Sequence, residues 1–105
     1  MNDVDTGRRR ISVTKDMAIS HSDFFRILPL VLGDETYEYC SDRNIVSIAR
    51  KGGKIEIYLS PERQENVASL RIPRTQVELR FENYSREEAA AFLENFNLRF
   101  QRGGG

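Results

Sequence analysis

Histidine, cysteine and acidic side chains supply most bases, nucleophiles and metal ligands in proteins, and this chain of 105 residues contains few of the first two. His21 is its only histidine and Cys40 its only cysteine. A structural zinc site needs about four nitrogen or sulfur ligands, and a cysteine nucleophile needs a base beside its thiol. Two isolated residues meet neither requirement. We therefore expect no catalytic residue, no metal and no cofactor, with His21 a partly exposed polar residue and Cys40 a small buried one.

Motifs that hold nucleotide phosphates are also missing from the sequence. Gly52-Gly53-Lys54 lacks the upstream glycine and the following serine or threonine of a P-loop, and the pattern Gly-x-Gly-x-x-Gly does not occur. Asp34-Glu35, Glu62 and Glu87-Glu88 fall at predicted turns and helix starts, where acidic residues have structural roles. The sequence therefore predicts a protein that is not an enzyme.

Two basic clusters are the remaining candidates for a binding site. One is Arg8-Arg9-Arg10. The other is the tip of a predicted hairpin, where a bound anion would relieve repulsion between facing lysines. Its candidate residues for anion or nucleic-acid binding are Arg50, Lys51, Lys54 and Tyr58. Because 16 Lys and Arg balance 16 Asp and Glu, the chain has no overall charge to attract nucleic acid. The balance disfavours nucleic acid as a partner and restricts any attraction to these clusters.

The elements that must position these residues follow the order β-α-β-β-β-β-α, with a further strand allowed at the end. Strands joined by short turns pair antiparallel, and their sheet needs one face covered by amphipathic helices. We predict an α+β fold, a two-layer sandwich with a mainly antiparallel sheet of about five to seven strands and two helices on one face. Residues 8–102 form the single domain, residues 1–7 a disordered N-terminal segment and residues 103–105 a flexible glycine tail.

In the first half of the chain, alternation of apolar and polar residues predicts strands at residues 8–14 and 36–40. Between them, the apolar spacing over residues 20–33 predicts a helix with a serine at its N-cap. Pro29 removes one hydrogen bond of this helix, so we expect the helix to bend or to end near Leu28.

The second half of the chain is predicted to hold two further strands and a helix. Ser60-Pro61-Glu62 has the composition of a single helical turn. Residues 67–72 then alternate as a strand that Pro73 stops, and residues 75–81 predict a strong strand with every second residue apolar. The capping box at residues 85–88 predicts the start of the second helix.

The clearest local pattern is a hairpin over residues 45–59. Placing Gly52-Gly53 as a two-residue turn puts Lys51 opposite Lys54. The apolar side chains that then share one face of the hairpin are Val46, Ile48, Ile55, Ile57 and Leu59. In this register Ile48 lies opposite Ile57. We expect the apolar face to point into the core.

Residues 96–101 admit two interpretations. On a helix, Leu98 would lie about 180° away from the buried stripe that begins at Ala89. On a strand, Phe96, Leu98 and Phe100 would share one face. Two asparagines of weak helix propensity stand at the point where a helix would break. We favour the strand and keep the helix as the alternative.

The chain then ends in Gly103, Gly104 and Gly105. A terminal strand that leads into glycines resembles the C-termini of ubiquitin-like modifiers and of small sulfur-carrier proteins. The resemblance covers residues 98–105, and it implies that the carboxylate of Gly105 is adenylated while the thin tail threads a narrow active site. Those families begin with a β-hairpin and usually end after two glycines, whereas here one predicted strand leads directly into the first helix. This resemblance supplies an alternative function.

By elimination, the sequence predicts a small cytoplasmic accessory or adaptor domain that acts through protein–protein contact. A lone cysteine fits a reducing compartment, the polar residues 1–7 do not resemble a signal peptide, and the apolar run at residues 27–32 is too short to span a bilayer. We expect no membrane partner. The expected partner is an unknown protein or a second copy, bound through an exposed sheet edge or the open sheet face, where Tyr37, Tyr39 or Tyr58 would suit an interface.

Overall fold

The structure, a computed structural model, describes residues 10–50 and 52–103. Its elements in chain order are β1 (Arg10–Met17), α1 (His21–Leu32), β2 (Glu38–Cys40), β3 (Ile45–Arg50), β4 (Gly53–Leu59), β5 (Arg63–Val67), β6 (Leu70–Glu82) and α2 (Arg86–Gly103). Several sequence predictions fall outside the described residues, namely those on residues 1–7, Arg8, Arg9, Lys51, Gly104 and Gly105.

The six strands form one antiparallel sheet in the order β1-β6-β4-β3-β2, and β5 also pairs with β6. β6 is the longest strand and therefore holds three partners, β1, β4 and β5. The order β-α-β-β-β-β-β-α and the antiparallel sheet confirm the predicted α+β fold class.

One face of the sheet is apolar and packs against both helices. Side chains alternate along a strand, so every second residue of the central strands points to this face. Those that are buried are Val46, Ile48, Ile55, Ile57, Leu59, Val77, Leu79 and Phe81. The helices add Phe24, Ile27, Leu28, Phe92, Phe96 and Phe100 to the same cluster. The predicted apolar faces of the hairpin and of residues 75–81 are therefore correct.

Pro29 lies inside α1, which continues past Leu28 to Leu32. The expectation that the helix could end near Leu28 is therefore wrong. Val31 and Leu32 are buried in the core, and tertiary packing of an apolar face contributes more to helix stability than one lost hydrogen bond. Gly33 closes the last turn, because its backbone N–H donates to the Pro29 carbonyl oxygen at 2.9 Å.

The hairpin of β3 and β4 has the predicted faces but a different register. Ile48 lies opposite Ile55, because the turn comprises residues 51 and 52. The predicted pairing of Lys51 with Lys54 is therefore wrong, and Lys54 lies opposite Ala49. The register differs by two residues, and a shift of two leaves each side chain on the same face.

Gly53 belongs to the strand, where it pairs with Arg50, and another part of the chain lies close against it. A Cβ atom at Gly53 would stand 2.9 Å from the ring of Tyr84 and 3.0 Å from the Glu82 carbonyl oxygen. Gly52, with φ at 83°, takes the turn position that favours glycine. The two adjacent glycines therefore serve different purposes, which the sequence does not distinguish.

Ser60-Pro61-Glu62 is an irregular link between β4 and β5, so the predicted helical turn is wrong. The Ser60 side chain is engaged elsewhere, since its Oγ accepts the backbone N–H of Gln76 at 2.8 Å. The Ser60 backbone N–H in turn donates to the Gln76 carbonyl oxygen at 2.9 Å. These bonds continue the sheet ladder across the link.

Pro73 lies within β6, so the prediction that it stops a strand is also wrong. The predicted strand at residues 67–72 is instead divided by a two-residue turn, with Val67 opposite Leu70. Hydrogen-bonded and non-hydrogen-bonded pairs alternate along an antiparallel ladder. Counted from the pair that closes the turn, Pro73 and Gln64 form a non-hydrogen-bonded pair. Proline fits there because the pairing with β5 requires no N–H.

Residues 96–101 are helical, so the favoured interpretation as a strand is wrong. Phe92, Phe96 and Phe100 recur every four residues and are all buried, whereas Leu98 is exposed. Asn95 does not break the helix, because its side-chain amide donates to the Val31 carbonyl oxygen of α1 at 3.0 Å. Tertiary contacts thus outweigh weak helix propensity.

Truncation of Phe100 and of Leu98 distinguishes the helix from the strand experimentally. Phe100 is 3% exposed and Leu98 43% exposed. We expect Phe100→Ala to lower the free energy of unfolding by about 3 kcal/mol, because it leaves a cavity in the core. Leu98→Ala should change the free energy of unfolding by less than about 1 kcal/mol. Urea unfolding measures both, and equal losses would mean that the two side chains share one buried face.

Candidate functional site

The hairpin tip does not gather Arg50 and Lys54, its two described cations, on one surface. Arg50 points to the helix side of the sheet, where its Nε and Nη2 donate to the two carboxylate oxygens of Glu35 at 2.6 and 2.7 Å. Its guanidinium also lies 5.5 Å from the ring centroid of Phe92. The hydrogen bonds that Arg50 donates to Glu35 raise the pKa of Arg50 above its ordinary value. Arg50 is therefore already matched by a carboxylate.

Lys54 and Tyr58 lie on the opposite, open face of the sheet. The Nζ of Lys54 is 3.6 Å from a carboxylate oxygen of Glu56 and 3.7 Å from one of Glu82. The hydroxyl of Tyr58 donates to Glu56 at 3.0 Å, and the Arg80 guanidinium lies 4.2 Å from the centroid of the Tyr58 ring. Burial against these neighbours raises the pKa of Tyr58 above its ordinary value.

Lys54, Glu56 and Arg80 border a shallow groove of about 400 Å³ on the open face. It is lined by Arg10, Ile11, Ser12, Lys54, Glu56, Glu78, Arg80, Phe81 and Glu82. Three cations and three carboxylates balance within this set. Glu78 accepts hydrogen bonds from Arg80 at 3.0 Å and from Ser12 at 2.9 Å, and these bonds lower its pKa. The groove therefore carries internally compensated charge rather than a surplus that would hold an anion.

His21 and Cys40 have separate surroundings. The His21 ring donates from Nε2 to the Ser60 carbonyl oxygen at 2.7 Å, and its backbone N–H donates to Glu62 at 2.9 Å.

Cys40 is exposed, so the expectation of a buried cysteine is wrong. The reason is alternation on a short edge strand, because Tyr39 opposite Val46 takes the helix side and leaves Cys40 on the open face. Within residues 10–50 and 52–103, no three acidic, histidine or cysteine residues are grouped as metal ligands.

The other two candidate tyrosines take part in local packing. The ring of Tyr39 lies 4.6 Å from that of Phe25, and its hydroxyl donates to Asn44 at 2.8 Å. Tyr37 packs against the edge of the core, 6.4 Å from Phe25 between ring centroids. Tyr39 and Tyr37 therefore border α1, apart from Tyr58 on the open face.

The glycine tail follows a helix in the structure. α2 runs to Gly103, while Gly104 and Gly105 lie outside the described residues. The terminal strand that carried the resemblance to ubiquitin-like modifiers and sulfur carriers is therefore absent from the described part of the chain. What remains of that resemblance is the glycine composition of the terminus.

No family model, curated protein or solved structure matches this chain. In the part of the chain that the structure describes, neither helix combines the length and apolar content needed to cross a bilayer.

The sequence analysis missed a hairpin arm, defined here as β5, the turn at residues 68–69 and residues 70–74 of β6. β1 pairs with β6 only from Thr75 onward and β4 only from Val77 onward, so the arm extends beyond both strands. All residues of β5 are exposed. Ala68 adopts a φ of 56° in the turn, where no glycine or asparagine marked it. The composition of residues 63–69 therefore gave little signal for this hairpin.

Two ion pairs hold the arm in place. Arg74 Nε donates to Glu65 at 2.7 Å across the arm. Arg63 Nη2 donates to Asp16 of β1 at 3.1 Å, at the base of the arm. Exposed ion pairs contribute little to stability, so these contacts orient the arm more than they stabilise the domain.

A separate small cavity of about 110 Å³ lies between the tip of the β3–β4 hairpin and the start of α2, with Tyr84 in its lining. Among the described residues, no group makes a hydrogen bond of usual geometry with the buried Tyr84 hydroxyl. Burial raises the pKa of Tyr84, and the neighbouring Arg50 opposes that rise. An unsatisfied buried hydroxyl costs free energy that a phenylalanine would not.

We expect Tyr84→Phe to leave the free energy of unfolding at neutral pH unchanged or to raise it. In the unfolded chain the tyrosine loses its proton near pH 10, whereas folded Tyr84 keeps its proton to a higher pH because its pKa is raised. The contribution of Tyr84 to the free energy of unfolding of the wild type therefore falls as the pH rises through the folded pKa. The variant should lack that fall. Tyr58→Phe is the matched control, and it should cost about 0.5–1 kcal/mol at neutral pH because it loses the bond to Glu56. Urea unfolding at pH 7 and pH 11 measures both, and a clear loss in Tyr84→Phe at pH 7 would reveal a partner for its hydroxyl.

Proposed function

We propose that this chain is a small cytoplasmic accessory domain that acts through protein–protein contact, and that the hairpin arm is its contact surface. One observation carries the proposal. Val67 and Leu70 face each other at the tip of the arm and are 48% and 62% exposed. Exposed apolar residues on a projecting element, away from the core, are typical of a site that a partner covers.

The backbone of β5 supports the same proposal. Val67, Glu65 and Arg63 form the hydrogen-bonded pairs with β6, since the pair of Val67 with Leu70 closes the turn. The N–H and C=O groups of Gln64 and Asn66 therefore point to the outer edge of β5. In the described part of the chain no strand pairs with that edge. An extended segment of a partner could add there as a further strand, with main-chain hydrogen bonds supplying affinity.

The side chains of the arm define what such a partner would carry. Val67, Leu70 and Ile72 lie on one side of the arm, because paired residues in neighbouring strands share a face. Arg74 and Glu65 on the same side are already paired with each other. The partner therefore needs apolar side chains at the arm tip rather than a strong charge of one sign.

The balanced charges elsewhere favour protein contact over the alternative of anion or nucleic-acid binding. Arg50 is paired with Glu35, and Lys54 lies near two carboxylates. A nucleic-acid binder would instead need cations free to release counterions from phosphates. The carrier alternative depends on Gly105, and no contact of the described residues bears on it.

We expect the double variant Val67→Ser/Leu70→Ser to lose a partner that the wild-type chain retains. Both side chains are exposed, so the free energy of unfolding should change by less than about 1 kcal/mol. The measurement is affinity purification of the tagged chain from its own host, followed by titration calorimetry with each recovered partner after purification. The variant should bind at least tenfold more weakly.

Leu30→Ser is the matched control, because Leu30 on α1 is 55% exposed and lies outside the arm. It should bind as the wild type does. Equal binding by the arm variant would contradict the proposal. Nucleic-acid binding whose affinity falls steeply with salt and is lost in Lys51→Ala/Lys54→Ala would also contradict the proposal. An intact mass of the chain that shows an adduct on Gly105 would contradict it as well.

A further inference from the structure

The outer edge of β1 is a second unpaired edge of the sheet. β1 pairs with β6 on one side, and no strand in residues 10–50 and 52–103 pairs with its other side. The residues that alternate toward the open face of the sheet are exposed, namely Arg10, Ser12, Thr14 and Asp16. An eight-residue edge with which no described strand pairs is a template for another strand.

The ladder shows which backbone groups of β1 are free. Gln76 of β6 bonds through both its N–H and its C=O to Ser60, on the β4 side. Even-numbered residues of β6 therefore point toward β4, and odd-numbered ones toward β1, because successive residues alternate. Their partners Ile11, Val13 and Lys15 use their backbone groups on β6. The N–H and C=O groups of even-numbered β1 residues consequently point outward.

We propose that a second copy of this chain pairs with this edge, antiparallel, with Val13 opposite Val13 of the other copy on a two-fold axis. Only registers that place even-numbered residues opposite even-numbered residues align the free backbone groups. The register centred on Val13 places Arg10 of each copy opposite Asp16 of the other. It also places Ser12 opposite Thr14, so all four outward-pointing residues of each strand are paired.

Charge complementarity selects this register over its neighbours. Centring the pair on Ser12 places Asp16 opposite residue 8, outside the described residues, and centring it on Thr14 places Arg10 opposite residue 18, beyond the end of β1. Opposite charges directly across an antiparallel pair are favourable, and the two-fold axis provides that pair twice. The intramolecular contacts of Arg10 with Glu82 and of Asp16 with Arg63 are exposed, so they do not prevent the new pairing.

The helix side of β1 is compatible with the same register. Val13 would meet Val13 of the second copy, and Ile11 would lie beside Lys15. The alkyl chain of a lysine can cover an apolar neighbour while its ammonium stays in water. The two sheets then become one continuous sheet with all four helices on the same face, because a two-fold axis perpendicular to the sheet preserves its faces.

A strand edge is a small interface, so we expect a weak, concentration-dependent dimer. This inference uses the outer edge of β1, which touches the arm through the ion pair of Asp16 with Arg63, and it does not depend on the proposed function. A strictly monomeric chain would overturn the inference and leave the role of the arm intact. Loss of partner binding by the arm variant would likewise not affect it.

Proline substitution tests the edge without disturbing the ladder inside one copy. In Thr14→Pro the lost N–H is one that points outward, so the domain should fold while the edge is blocked. Asn66→Pro is the matched control on the other free edge, since the Asn66 N–H also points away from β6. Sedimentation velocity over a hundredfold range of concentration should show a dimer for the wild type and the control. Thr14→Pro should remain a monomer, with circular dichroism verifying its fold.

Disulfide trapping tests the register by a route that needs no proline. In a Cys40→Ser background, Val13→Cys would place two cysteines in a non-hydrogen-bonded pair with Cα atoms about 4.5 Å apart, close enough to bridge. Lys15→Cys would hold them about 13 Å apart, too far to bridge. Mild oxidation should therefore crosslink the first variant at least tenfold more than the second.

A monomeric wild type at the highest concentration would overturn the proposal. A dimer that survives in folded Thr14→Pro, or that is lost equally in Asn66→Pro, would also overturn it. If Thr14→Pro does not fold, the crosslinking pattern decides alone. Equal crosslinking of the two cysteine variants would exclude the register centred on Val13.

Discussion

Burial of one apolar sheet face beneath two helices is the constraint on which the rest of this structure depends. Phe24 of α1 stacks on Phe100 of α2 with ring centroids 5.2 Å apart, and Phe81 of β6 meets Phe92 at 5.7 Å. Burying each phenylalanine contributes about 1.5–3 kcal/mol. Five phenylalanines are buried in this core, and together they contribute an amount comparable with the whole net stability of a small domain. The helices cannot move off this face without losing the fold.

The same constraint decides which surfaces remain available. With both helices on one face, the other face meets solvent and carries alternating charges that compensate one another, as Glu82 does between Arg10 and Lys54. An open sheet also has edges, and in the described part of the chain β1, β2 and β5 each have one side with which no strand pairs. Within the described residues, His21 and Cys40 have separate surroundings and no three metal-ligating side chains are grouped.

Much of the fold was predictable because it depends on local patterns. Alternation identified the buried faces of β3, β4 and β6, and the capping box at Ser85 and Glu88 forms with both of its hydrogen bonds. The errors fall where a distant part of the chain determines the outcome. Asn95 stays helical because its amide reaches Val31, and Gly53 belongs to a strand because Tyr84 lies against it. The candidate site was less predictable, since Arg50 and Lys54 are near in sequence but lie on opposite faces.

The sequence by itself determined the class of fold, the order of most elements, the apolar faces and the balance of charge, because periodicity and composition are properties of neighbouring residues. Only the tertiary structure decided the register of the hairpin, the helical end of the chain, the partners of Arg50 and Lys54, and the existence of the arm. A shift of two residues preserves every apolar face, so sequence pattern alone cannot distinguish such registers. In the observed register Gly53, which has no Cβ atom, lies where the ring of the distant Tyr84 packs against the strand.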